Sequence, residues 1–324
     1  MKNRIPSLTI AAAAVLALAP ALGQAQAFPD KPITFVVPFA AGTATDQIAR
    51  AIGNGVTAET QQSVVIDNRA GASGFIASQF AAKAPADGYT VLITTNTTHA
   101  ANEHLYKKLP YDPVKDFAPI TALGKGGQIM VVNPSFPAKT VSEFIALAKK
   151  EPGKYSFGSG SSSSRMAGEL LQQMADIKLL HVPYKSNTLA VTDLLGNQIN
   201  MMITDTTTGL PQVKSGKLRA LGMSSAARSP LAPEVPTIAE AGVKGYEMGY
   251  WFAAYAPAKT PPAVVKRLNE LLVKAAKSEA AKAAFYQPTG TEVFTTSPEE
   301  MAKFQTAESQ KWGRIVKAAG IEAE

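Results

Sequence analysis

Residues 33–50 set the terms for the rest of the chain. Ile33-Thr34-Phe35-Val36-Val37 is a short β-branched and aromatic run, the composition of a buried strand. Pro38 ends it, and Phe39-Ala40-Ala41-Gly42-Thr43-Ala44-Thr45-Asp46 follows with small side chains and hydroxyls. A helix then carries Ile48, Ala49 and Ile52 on one face. Strand, small-residue loop and helix together leave free backbone N–H groups at the positive end of a helix dipole, where an anion can sit. Gly42 lets the backbone approach a ligand closely. Thr43 and Thr45 supply hydroxyls or cap the helix, and capping is the stronger reading for Asp46.

The same unit recurs along the chain. A strand at 63–66 leads through a turn at 67–74 into a helix at 75–83. A strand at 89–93 ends in the polar loop Thr94-Thr95-Asn96-Thr97-Thr98-His99. Two strands, 117–123 and 128–132, flank Gly124-Lys125-Gly126-Gly127. A strand at 155–157 meets Gly158-Ser159-Gly160-Ser161-Ser162-Ser163-Ser164, and a helix follows from Arg165 to Met174. Further strands are expected at 199–204, 218–223 and 250–256, a short capped helix at 235–242, and long helices at 261–277 and 298–318. Alternation of this kind predicts an α/β fold, a mostly parallel sheet with helices on both faces.

Ligands in such sheets bind beyond the carboxyl ends of the strands. The candidate site residues lie there: Phe39, Ala41, Gly42, Thr43, Thr45 and Asp46 in the first loop, and Thr95, Asn96 and His99 in the next. Ser159, Gly160, Ser161, Ser162, Ser163, Ser164 and Arg165 form the serine loop and the helix start, and Asp205 follows an apolar strand. The serine run also fits a linker or an over-provided cap, but Phe157 and the Met166, Leu170, Leu171 face read as core on either side of it. Arg165 in a first helical turn opposes the dipole, a conflict that an anionic ligand nearby would relieve. It equally fits a solvated arginine.

Several function classes lack their signatures. The 324 residues contain no cysteine, which excludes disulfides and thiolate metal sites. His99 and His104 are five apart and do not share a helical face as metal ligands would. There is no P-loop, no G-x-G-x-x-G, no H-E-x-x-H and no G-x-S-x-G. The net charge of +7 is scattered without the basic stripe that nucleic acid requires. Residues 1–27 begin Met1-Lys2-Asn3-Arg4, continue through an apolar run and end Ala25-Gln26-Ala27, the pattern of a secretory leader cleaved after Ala27. Its removal lowers the charge to +5. An exported chain without disulfides depends on core burial, and some 300 residues suffice for two domains.

An ordered set of motifs spans the mature chain: Pro38-Phe39-Ala40-Ala41-Gly42 with Thr45-Asp46; Asp67-Asn68-Arg69-Ala70-Gly71-Ala72-Ser73-Gly74; Ala86-Asp87-Gly88-Tyr89-Thr90; Leu105-Tyr106-Lys107-Lys108-Leu109-Pro110-Tyr111-Asp112-Pro113; Gly168-Glu169-Leu170; His181-Val182-Pro183-Tyr184-Lys185; and Asp193-Leu194-Leu195-Gly196. In this order the set resembles the Bug family, periplasmic solute receptors of tripartite tricarboxylate transporters. The resemblance implies a two-domain periplasmic binding protein fold (type II, Venus-flytrap) with two crossover hinge strands, near 127–132 and 250–256. Residues 28–127 and 253–324 would form one domain and 128–252 the other. It further implies one carboxylate held between the two small-residue loops, with 95–99 and Asp205 around the rest of the ligand. No cofactor and no metal are expected. The expected partners are a small organic acid and the membrane permease subunits, and the receptor is expected to be a monomer.

This chain departs from the family pattern in three places. Thr43 stands where a second glycine is common, Arg165 where histidine is frequent, and Ser186 where glycine is usual. Arg165 suggests a second acidic group on the ligand. The competing readings are a sensor that shows its closed form to a membrane kinase, and a periplasmic hydrolase using a loop serine.

Overall fold

The protein was analysed as a computed structural model, and the structure describes residues 28–318 and 320–323. The leader expected at 1–27 lies outside the described residues. Among these, no helix is long and apolar enough to cross a membrane.

Among the described residues nine strands join in one sheet: β1 (Ile33–Val37), β2 (Val64–Asn68), β3 (Thr90–Thr95), β4 (Phe117–Val132), β5 (Ser156–Ser159), β6 (Leu180–Pro183), β7 (Met201–Asp205), β8 (Arg219–Met223) and β9 (Gly249–Pro257). The order is β2-β1-β3-β9-β4-β7-β5-β6, with β8 beside β4. β1 lies parallel between β2 and β3. Its Ile33, Phe35, Val36 and Val37 are fully buried, as a β-branched run covered on both faces requires.

β4 joins the two halves of the sheet. From Phe117 to Gly127 it pairs antiparallel with β9, and from Gln128 to Val132 with β7 and β8. The two separate strands expected around Gly124–Gly127 are therefore one strand. Its glycines stay extended because Lys125, Gly126 and Gly127 pair with Trp251, Tyr250 and Gly249. A side chain at Gly127 would lie 2.6 Å from Ser225, so this crossing needs a residue without Cβ. The return crossing falls at the start of β9, which pairs with β4 from Gly249 onward.

Three other expectations change. The 235–242 segment makes turns rather than a helix. Thr237 and Glu240 do form reciprocal capping bonds (3.0 and 2.7 Å), but Gly242 at φ +117° ends the turn at once. The polar loop after β3 is partly helical, with a π-type turn at Thr97–Ala101. The serine run is itself the start of a helix, Ser162–Ala175, with Ser161 as its cap.

Three clusters make the core. Under the first half, Ile48, Ile52 and Val56 of the helix Ala44–Thr60 pack with Leu268, Leu271 and Leu272 of the helix Pro262–Lys277. Each such side chain contributes about 1.5–3 kcal/mol by leaving water. A smaller cluster around Ile129, Val191 and Leu194 lies on the other half. The third runs through both, from Val36 and Leu92 to Phe157, Met166 and Trp312 on the helix Pro298–Ala318. That helix is tied to the crossing by Trp251 Nε1, which donates to Glu308 Oε2 at 3.1 Å.

Candidate functional site

Two helix N-termini converge on one small cavity. The first follows β1. Thr43 is the N-cap of the helix Ala44–Thr60, and the loop before it is closed by Asp46. The Gly42 N–H donates to Asp46 Oδ2 at 2.9 Å, Arg50 forks onto both carboxylate oxygens at 3.0 Å, and Asn68 Nδ2 donates to Oδ1 at 3.0 Å. Burial pushes the Asp46 carboxyl up, but the Arg50 pair and the Gly42 and Asn68 donors outweigh it and hold it below the usual carboxylate range. Gly42 sits at φ +82°, a conformation that a side chain resists. Ala44 and Thr45 line the cavity, and their first-turn amides have no intrahelical acceptor.

The second terminus follows β5. Ser161 Oγ accepts from the Ser164 N–H at 3.2 Å, leaving the amides of Ser162 and Ser163 as first-turn donors. Gly160 passes so close to the neighbouring loop that a Cβ would lie 1.8 Å from the Ser186 carbonyl carbon. Its N–H donates to Asn187 Oδ1 at 2.9 Å, and Asn187 Nδ2 donates to Asp205 Oδ2 at 2.9 Å. Asp205 Oδ1 accepts from the Thr208 N–H (2.9 Å) and Oγ1 (2.8 Å). Asn187 thus knits three strand-end loops together.

The inner cavity measures about 50 Å3 and is lined by parts of both loops with Thr95, Asn96, Ser186, Asn187, Asp205, Thr208, Tyr250 and Phe252. Asn96 is fully buried, and both ends of its amide lack a partner among the described residues. An unpaired buried amide is costly, so a group from water or ligand is needed there. An outer cavity of about 380 Å3 shares Phe39, Gly160 and Ser161 with it and takes in Ser73, Tyr106, Ser159, Ser162, Arg165, His181 and Lys185.

The structure therefore brings together Phe39, Thr43, Thr45, Thr95, Asn96, Gly160, Ser161, Ser163 and Asp205 in the inner cavity, and Ser159, Ser162 and Arg165 in the outer one. Five sequence candidates line neither cavity. Ala41 and Gly42 lie exposed on the outside of their loop. Asp46 is consumed in closing that loop. Ser164 is buried and donates its hydroxyl to the Ile203 carbonyl. His99 is fully buried and stacked on Tyr255, ring centroids 3.9 Å apart, with Nδ1 2.8 Å from Thr98 Oγ1. Asp205 lines the inner cavity, but both its oxygens accept protein donors, so it orients the loops.

The inner cavity also takes in Ala44, Thr208 and Tyr250, which sequence reasoning missed, and Ser186, Asn187 and Phe252, which it placed near the cleft or its wall without counting them as site residues. Tyr250 and Phe252 carried a signal: two apart on a strand, they share a face, and Trp251 points to the other. Asn187 carried none, because its role depends on Gly160 and Asp205, both distant in sequence.

The family model described as "Tripartite tricarboxylate transporter family receptor" matches residues 48–321. Protein BugT from Bordetella pertussis is 34% identical over 299 residues, covering 91% of each chain. Among solved structures, R. palustris Rpa4515 with adipate matches at TM-score 0.88 and 34% identity, over 92% of this chain and 100% of that one. MatC from Rhodopseudomonas palustris with bound malate matches at TM-score 0.84 and 29% identity, over 89% and 100%.

Two outcomes follow from this geometry. Asn187→Ala strips Asp205 of its amide partner and leaves a barer carboxylate facing the cavity. Anion affinity measured by titration calorimetry should fall about tenfold, ~1.4 kcal/mol; an unchanged affinity would refute the knitting role. Burial also pulls the His99 imidazole down to about 3. The unfolded chain binds this proton near pH 6.5 and the folded chain only near 3, so stability present above 6.5 drains away as pH falls through that window. The loss reaches about 2 kcal/mol by pH 5. His99→Phe keeps the ring packing and removes the titration, so urea unfolding at pH 7 and pH 5 should differ less in the variant than in the parent.

Proposed function

Because the chain belongs to the tripartite tricarboxylate transporter receptor family, we propose that its inner cavity seats one carboxylate of a small organic acid destined for uptake. The observation that carries this reading is the pair of helix N-termini, at 43–45 and 161–163, on one small cavity. Two positive helix ends, hydroxyls from Thr45, Ser161 and Ser163, and the Asn96 amide make a seat for an anion built from neutral donors. The likeness to relatives solved with adipate and malate supports an acid of this class. Thr43, in place of a glycine, spends its hydroxyl on the Ala40 carbonyl at 2.8 Å and so shapes the loop.

The sheet supports a working cycle of two lobes. Residues 28–127 with 249–323 form one lobe and 128–248 the other, hinged where β4 and the start of β9 cross. Capture closes the lobes over the acid and excludes water, which strengthens every hydrogen bond to it. The closed form is what the transporter's membrane subunits receive. Export to the periplasm, with the leader removed after Ala27, places the receptor where those subunits can meet it.

The test is a calorimetric and thermal-shift panel of carboxylic acids on residues 28–324, first unfolded and refolded to release any carried ligand. An acid at 100 times its dissociation constant should add about 2.7 kcal/mol of stability, and its methyl ester at the seated carboxylate should add far less. Equal shifts from acid and ester would sink the carboxylate seat. Intact mass of the protein exported from a bacterial host should correspond to a chain starting at Phe28. A mass retaining residues 1–27 would refute the cleavage.

A further inference from the structure

A further cavity, of about 930 Å3, opens at the crossing of β4 and β9, where Gly126, Gly127 and Gly249 line it. Tyr250 alone among the described residues lines both this hinge cavity and the inner one. A Cβ at Gly126, its partner on β4, would lie 2.6 Å from Tyr250 Oη, so the glycine leaves the hydroxyl room. Burial pushes the phenol up to about 12, and it stays a hydrogen-bond donor at neutral pH.

That hydroxyl belongs to a closed ring of side chains. Thr206, the first residue of the helix Thr206–Lys214, donates its hydroxyl to the Thr289 carbonyl. Its one proton is spent there, so it accepts from Tyr250 Oη, at 3.3 Å the longest link. Tyr250 Oη accepts from Thr291 Oγ1 at 3.0 Å. Thr291 accepts at 2.8 Å from Thr289 Oγ1, which shares its proton with the Phe285 carbonyl at 2.7 Å. All four residues are buried. The ring joins the 128–248 segment, through Thr206, to the 249–323 segment, through Thr289 and Thr291. The turn between those two threonines also rests on the 128–248 segment: a Cβ at Gly290 would lie 2.9 Å from Leu231 Cδ1. Across the cleft, Ser162 Oγ donates to Asn102 Oδ1 at 3.1 Å, so the ring is complete in an arrangement that brings the two segments together on both sides.

Resting on the two lobes and the acid seat proposed above, we propose that the hydroxyl ring of Thr206, Tyr250, Thr289 and Thr291 is a hinge latch that favours the closed receptor and sets its affinity from outside the ligand site. Rotation of one lobe about β4 and β9 carries Thr206 away from the Thr289 carbonyl. The freed groups then face a cavity large enough for water, so the bonds are exchanged and the latch is reversible. Thr206, Thr289 and Thr291 line neither the inner nor the outer cavity. They are positioning residues, and their loss acts on the lobe equilibrium alone. A receptor that is closed for a smaller fraction of the time binds every ligand more weakly by that same fraction.

The experiment titrates the carboxylic acid panel into the whole mature protein and three variants. Thr206→Val keeps the shape and removes the hydroxyl, Thr206→Ser keeps the hydroxyl, and Thr291→Val breaks the ring elsewhere and carries the test if Thr206→Val does not fold. Each valine variant should weaken every acid that binds by one common factor of about 3 to 10, the range for one buried hydrogen bond. Thr206→Ser should stay within about twofold of the wild type. Small-angle scattering of the ligand-free proteins should give a larger radius of gyration for the valine variants than for the wild type. Wild-type affinity in both valine variants, or a loss that differs from acid to acid, would overturn the latch and leave the seat intact. If no acid binds, the seat fails and scattering alone decides the latch: equal radii overturn it, and a larger radius in either valine variant upholds it.

Discussion

Two helix N-termini pointed at one small cavity repel each other unless something negative lies between them. Each carries roughly half a positive charge on its unpaired amides, and the inner cavity collects two of them. Much of the surrounding structure answers this constraint. β1 and β5 end in loops of small residues because larger side chains would block the approach of amides to an anion. Gly160 shows the limit of that compression, with no room for even one carbon against the Ser186 and Asn187 backbone. The hinge strands then decide whether the helix ends meet, because each end belongs to a different half of the sheet.

Both halves use a carboxylate to organise their donors, and neither carboxylate is spent on the ligand. Asp46 takes the Gly42 N–H and is neutralised by Arg50. Asp205 takes the Thr208 N–H and the Asn187 amide. Anchoring a loop with an acid is consistent with binding an anion next to it only where that acid's charge is already satisfied, and in both loops it is. Selectivity can therefore be set by the residues around the seat while the seat itself stays generic.

Most of the fold was legible in the sequence because it rests on local pattern. The run 33–37, the small-residue loop and the apolar face of Ile48 and Ile52 specify strand, turn and helix without outside help. What escaped depended on distant partners. The Gly124–Gly127 cluster reads locally as a turn, yet residues some 125 positions away on β9 hold it extended. His99 follows a strand end as a ligand-binding residue would, but its fate is set by Tyr255 and Phe117, which bury it. Asn187 became important only through contacts with Gly160 and Asp205. The serine run reads as a loop before a helix that starts at Arg165, but it forms that helix's first turn, and which of its hydroxyls turn inward depends on helical phase: Ser161 and Ser163 reach the inner cavity, and Ser164 turns to Ile203.

The same geometry bears on hydrolysis as an alternative use of the site. Ser159 Oγ lies 2.7 Å from His181 Nε2, the spacing of a nucleophile and its base. Such a pair needs an oxyanion site, and the natural donor is the amide of the residue after the serine. Here that amide is the Gly160 N–H, which already donates to Asn187 Oδ1. Ser159 is also the last residue of a paired strand and only 4% exposed, rather than raised on a sharp turn. With the donor occupied and the hydroxyl sunk in the sheet, the hydrogen bond fixes His181 in the wall of the outer cavity. Arg165 and Lys185 line the same outer cavity, and Arg165 stands 3.9 Å from Glu169.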